Sequence, residues 1–259
     1  KKYFSDKMIL FSNILKKNQY IITDKNLEEF SKIRKISTKR KLKLLSINDD
    51  ELETLKNKVN LIGNFQLKNL LMAMKAAEIC SLKKNKIFSS INKIKGVKGR
   101  LELIRNLPNG TKVFIDYAHT PDALKTVLNS LSDYFKKEIT LVFGCGGERD
   151  KKKRRIMSEI AKHYSNNIYV TDDNPRKENP KKIRKEIIKY LSKDTFHEIA
   201  NRKDAIQTSL RHSKSEEIIL VAGKGHENYQ DYGNKIIFIS DKNIINKTKI
   251  KFEKTNKKL

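Results

Sequence analysis

The chain has 259 residues, 57 of them Lys or Arg and 30 Asp or Glu, for a formal net charge of +27, with 37% hydrophobic and 34% charged residues. That length permits one large domain or two smaller ones; no run of about 18 apolar residues exists to span a membrane, the first apolar stretch is too broken by Asp6, Lys7, Ser12 and Asn13 to be a signal peptide, and Cys80 and Cys145 give neither a disulfide framework nor metal-ligand spacing, which fits a reducing cytoplasm. The basic residues are dispersed in a Lys-, Asn- and Ile-rich composition without aromatic interleaving, so they read as a solvated surface rather than a nucleic-acid platform, although the field still attracts small acidic substrates.

In chain order, "YFSDKMILFSNIL" (3–15) places Phe4, Met8, Phe11 and Leu15 on one face and predicts an amphipathic helix. "YIIT" (20–23) reads as a short strand. Residues 24–60 are charged and read as a reduced segment, with a weak strand at "KLKLLSI". "GNFQLKNLLMAMKAAEIC" (63–80) predicts a helix with Leu67, Leu70, Leu71, Met74 and Ala77 on one face. "GVKGR" (96–100) is the best boundary signal, dividing the chain into segments 1–95 and 96–259.

Beyond it, apolar runs alternate with helical periods: "VFIDYA", a helix from Thr120, "ITLVFG", a helix over 152–164, "NIYVTD", a helix from Asn179, "FHEIA", a helix over 202–212, "IILVAG" and "IIFIS". Such alternation predicts an α/β fold, a Rossmann-like and mostly parallel sheet with flanking helices. Thr120-Pro121 and Asn179-Pro180 each place a capping residue before a Pro at the first helical position. The Lys-rich end, 242–259, is expected to fray.

In open α/β sheets, ligands collect at the carboxyl ends of strands. Four polar turns fall there: "DYAHTP", "GCGGERDK", "TDDNPR" and "AGKGHENYQ". Four in register point to a composite site. The Gly-rich turn allows close backbone approach, though no G-x-x-x-x-G-K-[ST] loop is present. Arg176 is suited to clamp a carboxylate in two-pronged fashion, Asn174 both donates and accepts, and Glu227 can pair with an ammonium. On residue type alone, Arg176 and Glu227 read equally as surface ion-pair or solvated residues. Asp116 and His119 read either as nucleotide or metal contacts, or as a hydrogen-bond cluster capping the helix at Thr120.

Taken together, "GRLELI", "VFIDYAHTPDAL", "LVFGCGGERDKKKR", "TDDNPRKENP" and "VAGKGHENYQ" resemble, in order and spacing, the carboxy-terminal domain of the Mur ligases, and most closely the type that adds diaminopimelate. The likeness is strong over 96–241. It is patchier over 1–95, where "YFSDKMILF" and "GNFQLKNLLMA" resemble parts of the family's central ATPase domain. The resemblance implies an ATP- and Mg²⁺-dependent amide ligase acting on meso-diaminopimelate and UDP-N-acetylmuramoyl-L-alanyl-D-glutamate, cytoplasmic, with no nucleic-acid or membrane partner. It implies amino-acid contacts at Arg149, Asp173, Asn174, Pro175, Arg176, Gly223 and Glu227. Arg100 and Asp116 resemble positions that approach ATP, with His119 in the same motif. Lys7 resembles a lysine that carries CO₂ as a carbamate and helps to hold Mg²⁺. Asn69 resembles an Asn of the adenine-proximal helix, whose companion Asn is replaced by Gln66.

The family's amino-terminal domain and P-loop are not matched, so the sequence reads as a carboxy-terminal portion. On that reading the Leu67–Met74 stripe is expected to lack cover. The alternatives are a Mur-fold ligase for another amino acid, such as L-lysine, or a non-catalytic basic binding module.

Overall fold

A computed structural model describes residues 2–56, 58–59 and 61–250. The chain divides into two compact units, Lys1–Lys95 and Gly96–Leu259.

In the first unit, helix α1 (Lys2–Ile9) runs into a π-helical turn over Leu10–Ile14, where a single helix through residue 15 was expected. The apolar spacing is kept nonetheless: Phe4, Met8, Phe11 and Leu15 pack with Ile21, Ile33 and Leu42. Strand β1 (Tyr20–Asp24) pairs in parallel with β2 (Lys43–Ile47). Parallel pairing needs a crossover, which helix α2 (Phe30–Arg40) provides. The charged segment after β1 thus holds the crossover helix α2, strand β2 and then helix α3 (Asp49–Lys56). Helices α4 (Asn64–Ile79) and α5 (Lys84–Ile91) complete the unit. Leu67, Leu70, Leu71 and Met74 are covered by Ile47, Leu52, Leu55, Ile87 and Ile91, so the stripe expected to be bare is a core.

The second unit holds a six-stranded sheet. Its elements are β3 (Glu102–Asn106), β4 (Lys112–Asp116), α6 (Pro121–Phe135), β5 (Ile139–Phe143), α7 (Lys152–Tyr164), β6 (Asn167–Val170), α8 (Pro180–Ile188), β7 (Phe196–Glu198), α9 (Arg202–Arg211) and β8 (Ile218–Ala222). The strand order is β3-β4-β8-β5-β6-β7, parallel except for β3 against β4. All residues of β5 and β8 are buried, as a sheet covered on both faces requires. Alternation sorts the faces. Val113 and Ile115 join Ala205, Ile206 and Leu210 of α9, while Phe114 between them meets Phe135 of α6 at 5.7 Å between ring centroids. Thr120 accepts from Ala123 N and Asn179 from Lys182 N, with Pro at the first helical position in each case.

Two expectations fail here. "IIFIS" does not extend the sheet; β9 (Tyr229–Asp231) and β10 (Ile236–Phe238) form a separate antiparallel hairpin. The segment from 242 does not fray at once. Helix α10 (Asp241–Lys247), capped by Ser240, buries Asp241 and Ile245. The stretch 251–259 lies outside the described residues.

Candidate functional site

The carboxyl ends of β4, β5, β6 and β8 lead into the four turns singled out from sequence, and these turns bond to one another. Gly144 and Gly147 carry the β5 turn close to the β6 turn. A Cβ on Gly144 would lie 2.2 Å from Thr171 O, and one on Gly147 would lie 1.9 Å from Pro175 O. No side chain fits at either point, so glycine permits the approach. Gly147 N donates to Asn174 O at 2.9 Å.

Arg176 stands at φ 51°, in the left-handed region that few non-glycine residues adopt. Its backbone N donates to Asp231 O at 2.8 Å. Nη1 donates to Gly147 O at 3.0 Å and to Asn174 O at 3.3 Å. Nε is 3.8 Å from Asp231 Oδ2, an ion pair but too long for a hydrogen bond. The guanidinium is thus aimed by three neighbouring segments and stays partly exposed. Arg149 is exposed, following the Gly-rich turn.

Glu227 is more engaged than its sequence suggests. Tyr117 Oη donates to its Oε1 at 3.0 Å; Lys224 Nζ at 3.0 Å and Asn174 Nδ2 at 3.4 Å reach Oε2. Burial pushes the carboxyl up, but Lys224 and the two neutral donors outweigh it and hold the group below the usual carboxylate range. Gly223, at φ 112°, lets the turn pass Asp173, whose Oδ2 would be 2.5 Å from a Cβ there. Asp173, Asn174 and Pro175 are buried, and Gln230 Nε2 ties down the carbonyls of Asp172 and Asp173 at 3.0 and 2.8 Å.

A second group surrounds Tyr117. The Arg100 guanidinium lies 4.8 Å from its ring centroid and the His119 ring meets it edge-on at 4.7 Å. His119 Nδ1 is 2.8 Å from Tyr117 O. A carbonyl only accepts, so the proton sits on Nδ1 and a neutral ring leaves Nε2 as an acceptor. Asp116 does not cap α6, a task Thr120 performs; its Oδ2 accepts from Leu101 N at 2.6 Å. Burial pushes the Asp116 carboxyl up. In the first unit, Lys7 is exposed on α1 and Asn69 on α4, while Gln66 Nε2 donates to Ile62 O at 3.1 Å.

The β5 and β6 turns are also joined from below. Arg154, fully buried in α7, donates from Nη1 and Nη2 to the two oxygens of Glu178, each at 2.8 Å, and from Nη1 to Glu186 at 2.7 Å. This partner holds the Glu178 carboxyl far down, to about 2. A carboxyl depressed on folding contributes stability above its unfolded value, near 4.5, and loses it as pH falls toward 2. The stability difference between wild type and Glu178→Gln, measured by urea unfolding, is expected to be constant above about pH 5 and to shrink between pH 4.5 and 2. A difference that stays flat through that window would refute the assignment.

Sequence reasoning passed over Lys224, Tyr117 and Gln230. The only signal for Lys224 was its place between two glycines at a strand end. A cleft of about 750 Å³ lined by Asp172, Arg202, Gln230, Tyr232 and Phe238 borders the same turns but contains none of the residues expected to bind substrate. Among the described residues, no group of three or more His, Cys, Asp and Glu side chains is placed to hold a metal ion, and no helix is long and apolar enough to cross a membrane.

Residues 99–225 match the model of the family described as Mur ligase, glutamate ligase domain. A UDP-N-acetylmuramoyl-L-alanyl-D-glutamate–2,6-diaminopimelate ligase of Rickettsia bellii is 38% identical over 92% of this chain and 54% of the relative; that of Rickettsia felis is 45% identical over 73% of this chain and 35% of the relative. The chain thus spans about half or less of these relatives. A solved structure of a ligase of that same name aligns over 95% of this chain and 55% of its own length, with a TM-score of 0.59 and 27% identity. A folylpolyglutamate synthase from Thermotoga maritima, at 20% identity and a TM-score of 0.59, shares the fold over 85% of this chain and 55% of its own.

Proposed function

We propose that this chain, whose residues 99–225 match the Mur ligase family model, is the amino-acid-binding part of a cytoplasmic ATP-dependent ligase. That ligase adds meso-diaminopimelate to UDP-N-acetylmuramoyl-L-alanyl-D-glutamate in peptidoglycan precursor synthesis. The observation that carries the proposal is the linkage through Asn174: its carbonyl receives the Arg176 guanidinium and its amide reaches the Glu227 carboxylate. A fixed cation and a fixed anion on one rigid frame suit an amino acid that has carboxylates and ammonium groups at both ends.

In this reading Arg176 and Arg149 bind a carboxylate, Glu227 binds an ammonium, and Asn174 donates between them. Asp173, Pro175 and Gly223 hold the frame. ATP supplies the activation of the acceptor carboxylate. Arg100 and His119, which both flank the Tyr117 ring, offer a cation and an acceptor to the nucleotide; Asp116 is committed to Leu101 N and positions that strand end. Asn69 is assigned to the adenine side, with Gln66 bonded back to Ile62 O, just ahead of its helix. Magnesium bound through nucleotide phosphates needs only one or two protein anions, and Lys7 as a carbamate would be one.

Isothermal calorimetry on the 259-residue chain tests the substrate assignment. Binding of meso-diaminopimelate at least tenfold tighter than L-lysine is expected, since lysine lacks the second carboxylate. Equal or tighter binding of L-lysine would overturn it.

A further inference from the structure

Lys224 lies in the turn after β8 with its side chain fully buried. Nζ donates to Asn174 Oδ1 at 2.9 Å and to Glu227 Oε2 at 3.0 Å, and it is 5.3 Å from the Tyr229 ring centroid, within cation–π range. A buried ammonium is costly unless paired and hydrogen-bonded, so this arrangement meets a specific requirement.

The chemistry fixes more than one carboxylate. Asn174 Oδ1 also receives Asp231 N at 3.0 Å. An ammonium and a peptide N–H are donors only. Turning the Asn174 amide over would set its NH₂ against both, so one orientation alone is compatible. That orientation directs Nδ2 toward Glu227 Oε2. The other charged or titratable groups acting on Glu227 are Tyr117, at the end of β4, and Arg202 of α9, which senses Glu227 through its charge.

We propose that Lys224 is the positioning residue of the amino-acid site: without touching the ligand, it locks the Asn174 amide in its donor-forward orientation and anchors the Glu227 carboxylate. This deepens the substrate reading above and rests on it for the ligand.

Lys224→Met keeps the aliphatic stem and removes the charge. Three results are expected. The Glu227 carboxyl, followed by carbon-13 NMR in the ligand-free chain, titrates at higher pH than in wild type. Affinity for meso-diaminopimelate at neutral pH falls tenfold or more by calorimetry. Lys224→Met combined with Glu227→Gln weakens binding by clearly less than the product of the two single effects, because part of the Lys224 effect runs through Glu227. An unmoved Glu227 titration overturns the proposal whatever the ligand does, and so does unchanged affinity or full additivity. If wild type binds no meso-diaminopimelate, the substrate reading falls, while the titration still decides whether Lys224 anchors the carboxylate. Should Lys224→Met fail to fold, Lys224→Gln, which keeps an N–H donor without the charge, is held to the same titration result.

Discussion

Replacing Arg202 with methionine is expected to destabilise the second unit by about 3–5 kcal/mol, the cost of breaking a buried ion pair by removing one partner. Arg202 and Asp241 are both fully buried, and they meet through two parallel hydrogen bonds, Nε to Oδ1 at 2.9 Å and Nη2 to Oδ2 at 2.7 Å. Nη2 also donates to Ala222 O at 3.0 Å, at the last residue of β8. One side chain therefore joins α9, α10 and the strand that leads into Gly223 and Lys224. With Arg202 gone, Asp241 keeps a buried charge without its partner. A loss of this size is a large fraction of a typical domain's 5–15 kcal/mol. Urea unfolding should show a lower midpoint. Arg202→Met with Asp241→Leu should recover much of the loss, because an apolar pair leaves no unpaired charge. A single-variant loss below about 1 kcal/mol, or a double variant no better than the single, would show that the pair is not what docks α10.

The same pair marks where sequence reading stopped. Helix α10 is seven residues, Asp241–Lys247, with one buried apolar residue, Ile245. Its anchor is an Asp whose partner lies 39 positions earlier, and no local pattern reveals such a contact. Helix α2 was hidden for a related reason: in "FSKIRKISTKR" only Phe30, Ile33 and Ile36 are apolar, so the period is faint. Strand β3 is an antiparallel edge with no fully buried residue, and its charged sequence shows no clear alternation. "IIF" misled in the opposite direction, since Ile236, Ile237 and Phe238 are 61%, 38% and 85% exposed.

By contrast, the doubly covered strands β5 and β8 and the Thr-Pro and Asn-Pro caps were legible, because a continuous apolar run and a cap are local facts. The site divides in the same way. Its glycines and its polar turns at strand ends could be read directly. Lys224 could not, because in a chain with 57 basic residues one more lysine reads as solvated. Only the tertiary fold shows that it is buried.

Arg176→Asn is expected to weaken meso-diaminopimelate binding by about two orders of magnitude, while L-lysine binding changes by only a few-fold. The estimate follows from losing one partner of a charge-assisted pair, about 2–3 kcal/mol, at 1.4 kcal/mol per tenfold. Geometry sets the direction. Nη1 is spent on the carbonyls of Gly147 and Asn174, while Nε remains 3.8 Å from Asp231, beyond hydrogen-bond length. The Nε–Nη2 edge is therefore the one left for a carboxylate, and it is an edge a guanidinium uses in bidentate fashion. Asn is the informative replacement because it tolerates the left-handed backbone at φ 51°, whereas Ala would add strain of about 1–2 kcal/mol unrelated to the ligand. Arg176→Lys should not restore the preference, since an ammonium is a point charge and cannot form the fork. Calorimetry with both amino acids on wild type, Arg176→Asn and Arg176→Lys makes the comparison. If Arg176→Asn still prefers meso-diaminopimelate by the wild-type ratio, the second carboxylate is read elsewhere, and Arg149, exposed on the neighbouring turn, becomes the residue to test.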